Sequence, residues 1–318
     1  MKLKSIIKLM RVKRILFFGI LVMESLLVSA QTVKTLDTIQ VSIIANLEIP
    51  EANEIDIIKH TCYSFSYNEF HEQANWVAYD LTKAETVKLY DRTDKFLTDP
   101  LVKTSSANDY DYKGFGYDRG HLAPAADMGY SEITMKESFY YSNMSPQLPG
   151  FNRGVWKRLE EQVRSWANLY DTLFVVTGPI LTDGLKTIGE NEVSIPEYYY
   201  KAILDYSEPN VKGIAFVLPN ASSKNELNSF AISIDSLEKL TNINFYPLLP
   251  DEQENLIESA LCISCWDWTI VKTESNVQDV EKATSSTQCL GTTKKGARCK
   301  NKTLNVSGYC YLHGEQKK

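Results

Sequence analysis

Residues 152–170, NRGVWKRLEEQVRSWANLY, carry apolar side chains at positions 155, 156, 159, 163, 166 and 170. That recurrence is the spacing of a helix with one apolar stripe, starting near Asn152. The run that follows, TLFVVTGPIL, is short, apolar and closed by Gly178-Pro179, so it reads as a buried strand. YYYKAILDY and VKGIAFVLPN read as two further strands, close enough in sequence to be neighbours in a sheet. Residues 63–82, YSFSYNEFHEQANWVAYDLT, read as two strands with a polar connection, the second running from Trp76 to Leu81. Residues 86–104 read as a strand and loop, 105–117 as a loop, and NSFAISIDSLEKLTN as a short strand before a helical turn. One-sided helix and buried strands together confine this chain to a mixed helix–sheet core.

The two ends have a different character. Residues 1–30 join Lys2, Lys4, Lys8, Arg11, Lys13 and Arg14 to an apolar stretch, with Ser29-Ala30 before Gln31. This is the pattern of a secretory signal cleaved after Ala30, and Glu24 interrupts it too early for a lasting membrane span. The expected destination is a periplasm or the cell exterior. Residues 31–54 form an acidic lead-in, and 272–288, rich in Thr, Ser, Glu and Val without periodicity, form a linker. The formal charge of −6 divides into +5 for residues 1–30, −17 for 31–286 and +6 from Thr287 onward. So acidic a body does not look like a nucleic-acid sponge and counts against any reading that needs tight phosphate binding, an objection the basic tail offsets only in part.

Chemistry concentrates in three places. GFGYDRGHLAPAADM, residues 114–128, sets Arg119 and His121 two apart, so on a strand both point to one face. SNMSPQ supplies Asn143, and FNRGVWKRLE supplies Asn152 and Glu160. On a helix those last two stand two turns plus about 80° apart, and both can face a strand packed across it. A neutral imidazole takes a proton from water near neutral pH, and with an ordinary pKa it would lose that capacity below about pH 6. An Asn amide oxygen is a hard neutral ligand suited to Mg²⁺, which polarises a phosphate and stabilises a leaving oxygen. Arg119 can donate paired hydrogen bonds to a phosphate, and Gly120 reads as room for that phosphate against the backbone. The set suits phosphodiester hydrolysis. GFG at 114–116 reads as a turn, and His60 and His71, which sit in no partner pattern, as non-catalytic.

YDRGHLAPAADM, FYYSNMSPQ and FNRGVWKRLE resemble the DNA/RNA non-specific endonuclease family, that of the Serratia-type nucleases and endonuclease G. The resemblance spans about residues 55–271 and extends to WVAYDLT, VVTGPIL, YYYKAILD and IAFVLPN. It implies an α+β fold with a central antiparallel sheet and a ββα-metal (His-Me finger) motif, the His on a strand and the metal-binding Asn on the crossing helix. It implies an endonuclease dependent on Mg²⁺ (or Mn²⁺), cutting DNA and RNA to leave 5′-phosphate and 3′-hydroxyl ends; with the signal segment, the expectation is a secreted one. By position, His121 matches the general base, Asn152 the metal ligand and Arg119 the transition-state stabiliser. Glu160 matches the group orienting water around the metal. Arg92, Asp118, Gly120, Asn143 and Arg164 fall in supporting or substrate-binding places. A homodimer is left open as a partner. The competing function is a non-catalytic secreted nucleic-acid-binding protein on a nuclease fold, against which the intact Arg119, His121, Asn152 and Glu160 argue.

Six cysteines remain: Cys62, Cys262, Cys265, Cys289, Cys299 and Cys310. Cys289-x9-Cys299-x10-Cys310-x2-His313 makes a short C-terminal Cys/His module, 289–313, whose side chains suit a closed Cys₃His zinc site. Secretion favours disulfides instead, and both readings stay open. Cys262-x2-Cys265 suits a local disulfide.

Overall fold

The computed structural model describes residues 46–51, 57–207, 209–271, 287–293, 296–300 and 302–303. The expected signal segment, most of the lead-in and linker, and Cys310 and His313 lie outside the described residues. The chain divides into two compact units at Val271/Lys272. Among the described residues no helix is long and apolar enough to cross a membrane.

In the first unit the strands are β1 (Ile57–Lys59), β2 (Ser64–Asn68), β3 (Gln73–Thr82), β4 (Asp118–His121), β5 (Met144–Gln147) and β6 (Thr172–Pro179), then β7 (Thr187–Ile188), β8 (Val193–Ser194), β9 (Tyr198–Asp205), β10 (Lys212–Pro219) and β11 (Ala231–Ile232). The helices are α1 (Asp109–Tyr112), α2 (Glu132–Glu137), α3 (Lys157–Tyr170), α4 (Ile234–Thr241) and α5 (Asp251–Ser259). Seven strands form one sheet in the order β1-β2-β3-β6-β9-β10-β11, and every neighbouring pair is antiparallel.

Strand alternation divides the core between the two faces of this sheet. Val77, Tyr79 and Leu81 of β3 and Val175 of β6 pack toward Leu159, Val163 and Trp166 of α3. Trp76, Ala78, Phe174 and Val176 turn the other way and join Ile234, Leu237 and Ile257 of α4 and α5. Leu159, Val163 and Trp166 are the apolar stripe seen in the sequence, and all three are buried.

Two segments differ from the expectation. Residues 86–104 hold no strand, only a bridge from Leu97 to Tyr140, because Asp91, Arg92, Asp94 and Lys95 crowd it with exposed charge. Inside the 105–117 loop sits α1, whose capping box joins Asn108 and Asp111, a local device that needs no apolar period. The helix carrying Asn152 is also less regular than expected. Phe151–Trp156 is a wide π-type turn in which Gly154 leaves helical geometry (φ −110°, ψ −107°), and regular α3 begins only at Lys157.

The ββα unit lies against this sheet. β4 pairs antiparallel with β5, matching Asp118 to Gln147 and His121 to Met144. Ser145 Oγ donates to Gln73 Oε1 of β3 at 2.5 Å, and Tyr199 Oη of β9 donates to the Pro146 carbonyl at 2.9 Å. The hairpin is therefore held to the sheet by buried polar contacts.

In the second unit β12 (Thr287–Gln288) pairs with β13 (Lys302–Thr303). Cys289 and Cys299 are buried and pack together, and the Gly291 N–H donates to Cys289 Sγ at 3.3 Å. Back in the first unit, Cys262 and Cys265 form a disulfide.

Gly120 has a different reason from the one read in the sequence. A Cβ there would stand 2.2 Å from Cδ and Oε1 of Gln147, a fully buried side chain on β5. The glycine makes room for Gln147 and not for a phosphate. Gly120→Ala should cost ~1–3 kcal/mol by overpacking. Adding Gln147→Ser should restore most of that loss, as read by urea denaturation. A Gly120→Ala protein of wild-type stability, impaired only in substrate binding, would reinstate the phosphate reading.

Candidate active site

Arg119 and His121 leave β4 on one face, as the strand spacing requires. They open into a cleft of about 500 Å³ that Asn152, Glu160 and Arg164 also line. Asp118, at the start of the same strand, fixes the opposite wall. Its Oδ2 accepts from Asn152 Nδ2 at 2.9 Å, and Arg153 grips the carboxylate with Nε and Nη2 at 2.8 and 2.6 Å. With its nitrogen committed, the Asn152 amide keeps its carbonyl oxygen for a ligand.

His121 is almost fully buried. Its ring meets Phe139 edge-on at 4.9 Å and Phe96 at 5.9 Å, and its Nε2 has no hydrogen-bond partner among the described residues. Burial pushes the imidazole pKa down to about 3, helped by the Arg92 and Arg119 charges and opposed by a hydrogen bond to the Arg119 backbone. The ring is neutral at ordinary pH, with a lone pair and no acceptor role assigned elsewhere. This corrects the expectation of an ordinary imidazole failing near pH 6.

The backbone after His121 is locked by Asn143. Its Oδ1 accepts from the Ala123 N–H at 2.8 Å, and its Nδ2 donates to the Ala123 and Ser138 carbonyls at 2.9 Å. Fully buried and outside the cleft lining, Asn143 positions the histidine strand and does not meet substrate.

The cations are held in reserve by local carboxylates. Arg119 lies over the Phe96 ring at 4.0 Å and pairs with Asp109. Arg92 lies over Phe139 at 4.9 Å and pairs with the exposed Asp94 at 2.6 Å. Arg92, Arg119, Arg153, Lys157 and Arg164 line the cleft against Asp94, Asp118 and Glu160. A body of net charge −17 thus keeps a cationic cleft, which answers the objection raised by composition.

Beneath the cleft runs a polar layer that only partly shows in the sequence. Arg164 donates to Asp127 Oδ1 at 2.6 Å, and Tyr79 Oη donates to Asp127 Oδ2 at 3.0 Å. Burial raises the Glu160 carboxyl above the usual range, against the pull of Arg164 and Lys201. Lys201 is fully buried on β9, its Nζ 5.0 Å from the Trp156 ring and without a hydrogen-bond partner among the described residues. Burial lowers its pKa, and the Glu160 and Asp127 carboxylates oppose that. Sequence reasoning missed Asp127 and Lys201, although a lysine in the apolar run YYYKAILD is a visible signal. His60 and His71 are engaged elsewhere, with Asp99 and Ser194 at 2.8 Å each.

The sequence model of the family described as DNA/RNA non-specific endonuclease matches residues 41–252. Mitochondrial nuclease EXOG of Danio rerio is 36% identical over 211 residues, which cover 61% of this chain and 62% of that protein. Nuclease C1 of Cunninghamella echinulata var. echinulata is 35% identical over 212 residues, covering 61% of this chain and 84% of its own. A chain of the solved EndoG/EndoGI complex superposes with a TM-score of 0.61 at 29% identity, covering 66% of this chain and 94% of that one. Of the Danio rerio nuclease, then, this chain spans less than two thirds. The matched residues contain the whole seven-stranded sheet, the β4–β5 hairpin and the cleft. The chain belongs to the DNA/RNA non-specific endonuclease family.

Proposed function

We propose that this protein is a secreted, Mg²⁺-dependent endonuclease that hydrolyses DNA and RNA alike. The observation that carries the reading is the buried His121 Nε2, unpartnered and neutral, in a cleft lined by arginines and the Asn152 amide. Asn152 fits a hard cation because Asp118 takes its nitrogen and spares its oxygen. Glu160, raised by burial, would ionise readily beside such a cation and hold water there. When bound, Mg²⁺ polarises the phosphate and stabilises the leaving oxygen.

The chain's own residues do the rest. His121 accepts at Nε2 the proton of the water attacking phosphorus. Arg119 exchanges Asp109 for the phosphate and holds its developing charge, and Arg92 can exchange Asp94 in the same way. A cleft furnished with cations and few aromatic rings reads phosphate rather than base or sugar, which supports action on both nucleic acids. The basic, apolar N-terminal run supports export.

His121→Ala should cut plasmid nicking by ~10²–10⁴-fold while leaving the fold intact. EDTA should abolish nicking in the wild type, and turnover that survives exhaustive chelation would overturn the metal assignment. Because burial lowers the histidine pKa, the neutral base persists as pH falls. The acid limb of kcat/KM should therefore lie below pH 6, and a limb centred near 6.5 would refute a buried neutral base.

For the C-terminal module we propose a structural zinc. Cys289 and Cys299 are buried side by side, one sulfur accepting a backbone N–H, and Cys310 and His313 complete a Cys₃His set in the sequence. The module's sequence carries Lys294, Lys295, Arg298, Lys300 and Lys302, a basic segment tethered to an acidic body. Deleting 287–318 should raise KM on kilobase DNA, leave kcat within a few-fold, and flatten the salt dependence of binding. Metal analysis of the intact protein should find one zinc per chain that the truncation lacks. Cysteines found oxidised, with no zinc, would favour the disulfide reading.

A further inference from the structure

The sheet face opposite α3 carries α4 and α5, which pack on each other and on β10. Asp235 and Glu238 of α4 and Glu258 of α5 each bring a carboxylate oxygen to one point, all within 4.8 Å of one another. Calcium takes about six to eight oxygens in flexible geometry, whereas magnesium demands a near-ideal octahedron, keeps several waters and is usually held by only one or two carboxylates. Three carboxylates of the chain gathered together suit calcium better.

Glu258 makes this more than a cluster of surface acids. Its side chain is 4% exposed, and its Oε1 is buried with no hydrogen-bond partner among the described residues. Its neighbour Ile257 packs into the core and fixes this turn of α5 against the sheet. Little around it offers compensation. Lys239 stands 4.0 Å from Asp235 with a largely exposed side chain, and Glu238 Oε1 already accepts the Phe245 N–H at 2.8 Å. Glu254 adds further negative charge. Burial, then Glu238, Glu254 and Asp235, push the Glu258 carboxyl up to about 9. A divalent cation would supply the missing partner for Oε1 and the missing counter-charge for all three groups at once.

We propose that Asp235, Glu238 and Glu258 form a binding site for one hard divalent cation, calcium in preference to magnesium, which joins α4 to α5. The site lies apart from the catalytic cleft and contributes none of its lining, so its role is to hold the outer helices on the sheet. Water fills the remaining positions around the ion, as three carboxylates do not complete a calcium shell.

Calorimetric titration of Ca²⁺ into the full chain carrying Asn152→Ala, stripped of metal beforehand, isolates this site from the cleft. One Ca²⁺ should bind, and its melting temperature should rise by a few degrees as Ca²⁺ approaches about 10 mM, with a smaller rise in Mg²⁺. Glu258→Gln keeps the side chain's shape while removing its charge, and should weaken Ca²⁺ binding by at least roughly tenfold. Asp235→Asn, at a partly exposed position, gives the same readout should the buried variant fold poorly. In the Asn152 background-free protein, both substitutions should leave Mg²⁺-supported nicking unchanged. Absence of Ca²⁺ binding, an unchanged thermal response in both variants, or an equal response to Mg²⁺ would overturn the proposal. The nuclease reading is untouched by any of these results, since none of them uses the cleft.

Discussion

The hydrogen bond from Asn152 Nδ2 to Asp118 Oδ2 joins the two halves of the site. Asp118 begins the strand that carries Arg119 and His121, and Asn152 stands in the turn that leads into α3. Without that contact the amide could rotate and offer nitrogen where oxygen is needed, because the two ends differ little in shape. Arg153, gripping the same carboxylate from the outside with two hydrogen bonds, holds it in the orientation that meets Asn152. The break at Gly154 belongs to this arrangement. A regular helix from 152 would set Asn152 by the α-helical spacing alone, whereas the wide turn lets it reach β4 while Glu160 stays on α3.

Electrostatics in the first unit is organised by depth. Exposed arginines at the rim pair with exposed aspartates, contacts weak enough to be exchanged for a phosphate. Deeper in, Arg164, Asp127 and Tyr79 form a closed set, with Asp127 and Tyr79 almost fully buried. Glu160 and Lys201 lie between these layers, each shifted toward neutrality by burial and toward charge by the other. Arg164, in the cleft lining but largely buried, and Lys201, fully buried, thus hold positive potential at and beneath the floor, where solvent screens it little. This explains how a protein of acidic composition presents a cleft suited to a polyanion.

The sheet and the principal helix were legible because their apolar residues follow the periods of the structures they form. Val77, Tyr79 and Leu81 alternate, and Leu159, Val163 and Trp166 recur at helical spacing. The motif residues were legible as chemistry. Arg119, His121, Asn152 and Glu160 do line one cleft. What the sequence hid is what depends on a distant neighbour. Gly120 answers to Gln147, twenty-seven positions away, and Asn143 answers to backbone groups at Ala123 and Ser138. The pKa of His121 was hidden too, since it rests on Phe96, Phe139 and Arg92, none of them in its motif. Residues 86–104 show the converse error. Their few apolar side chains suggested a strand, yet they serve as the loop that brings Arg92 and Phe96 to the cleft.

Alternation also keeps function and stability on separate faces of one sheet. Tyr79 on β3 and Lys201 on β9 point toward α3, under the cleft, while their neighbours Ala78 and Tyr200 point into the core beneath α4 and α5. A slip of one residue in β9 would exchange its two sets of side chains and move the ammonium into the core beneath α4 and α5. The buried lysine therefore specifies register as well as potential, because only one pairing of these strands gives it Glu160 and Asp127 for company. The opposite face has its own charged centre at Asp235, Glu238 and Glu258, where carboxylates gather without a buried cation from the chain among the described residues. The two faces thus pose the same problem, charge under a sheet, and differ in who supplies the counter-charge. On the α3 side the protein carries its own lysine and arginine; on the α4–α5 side the geometry leaves that place to an ion.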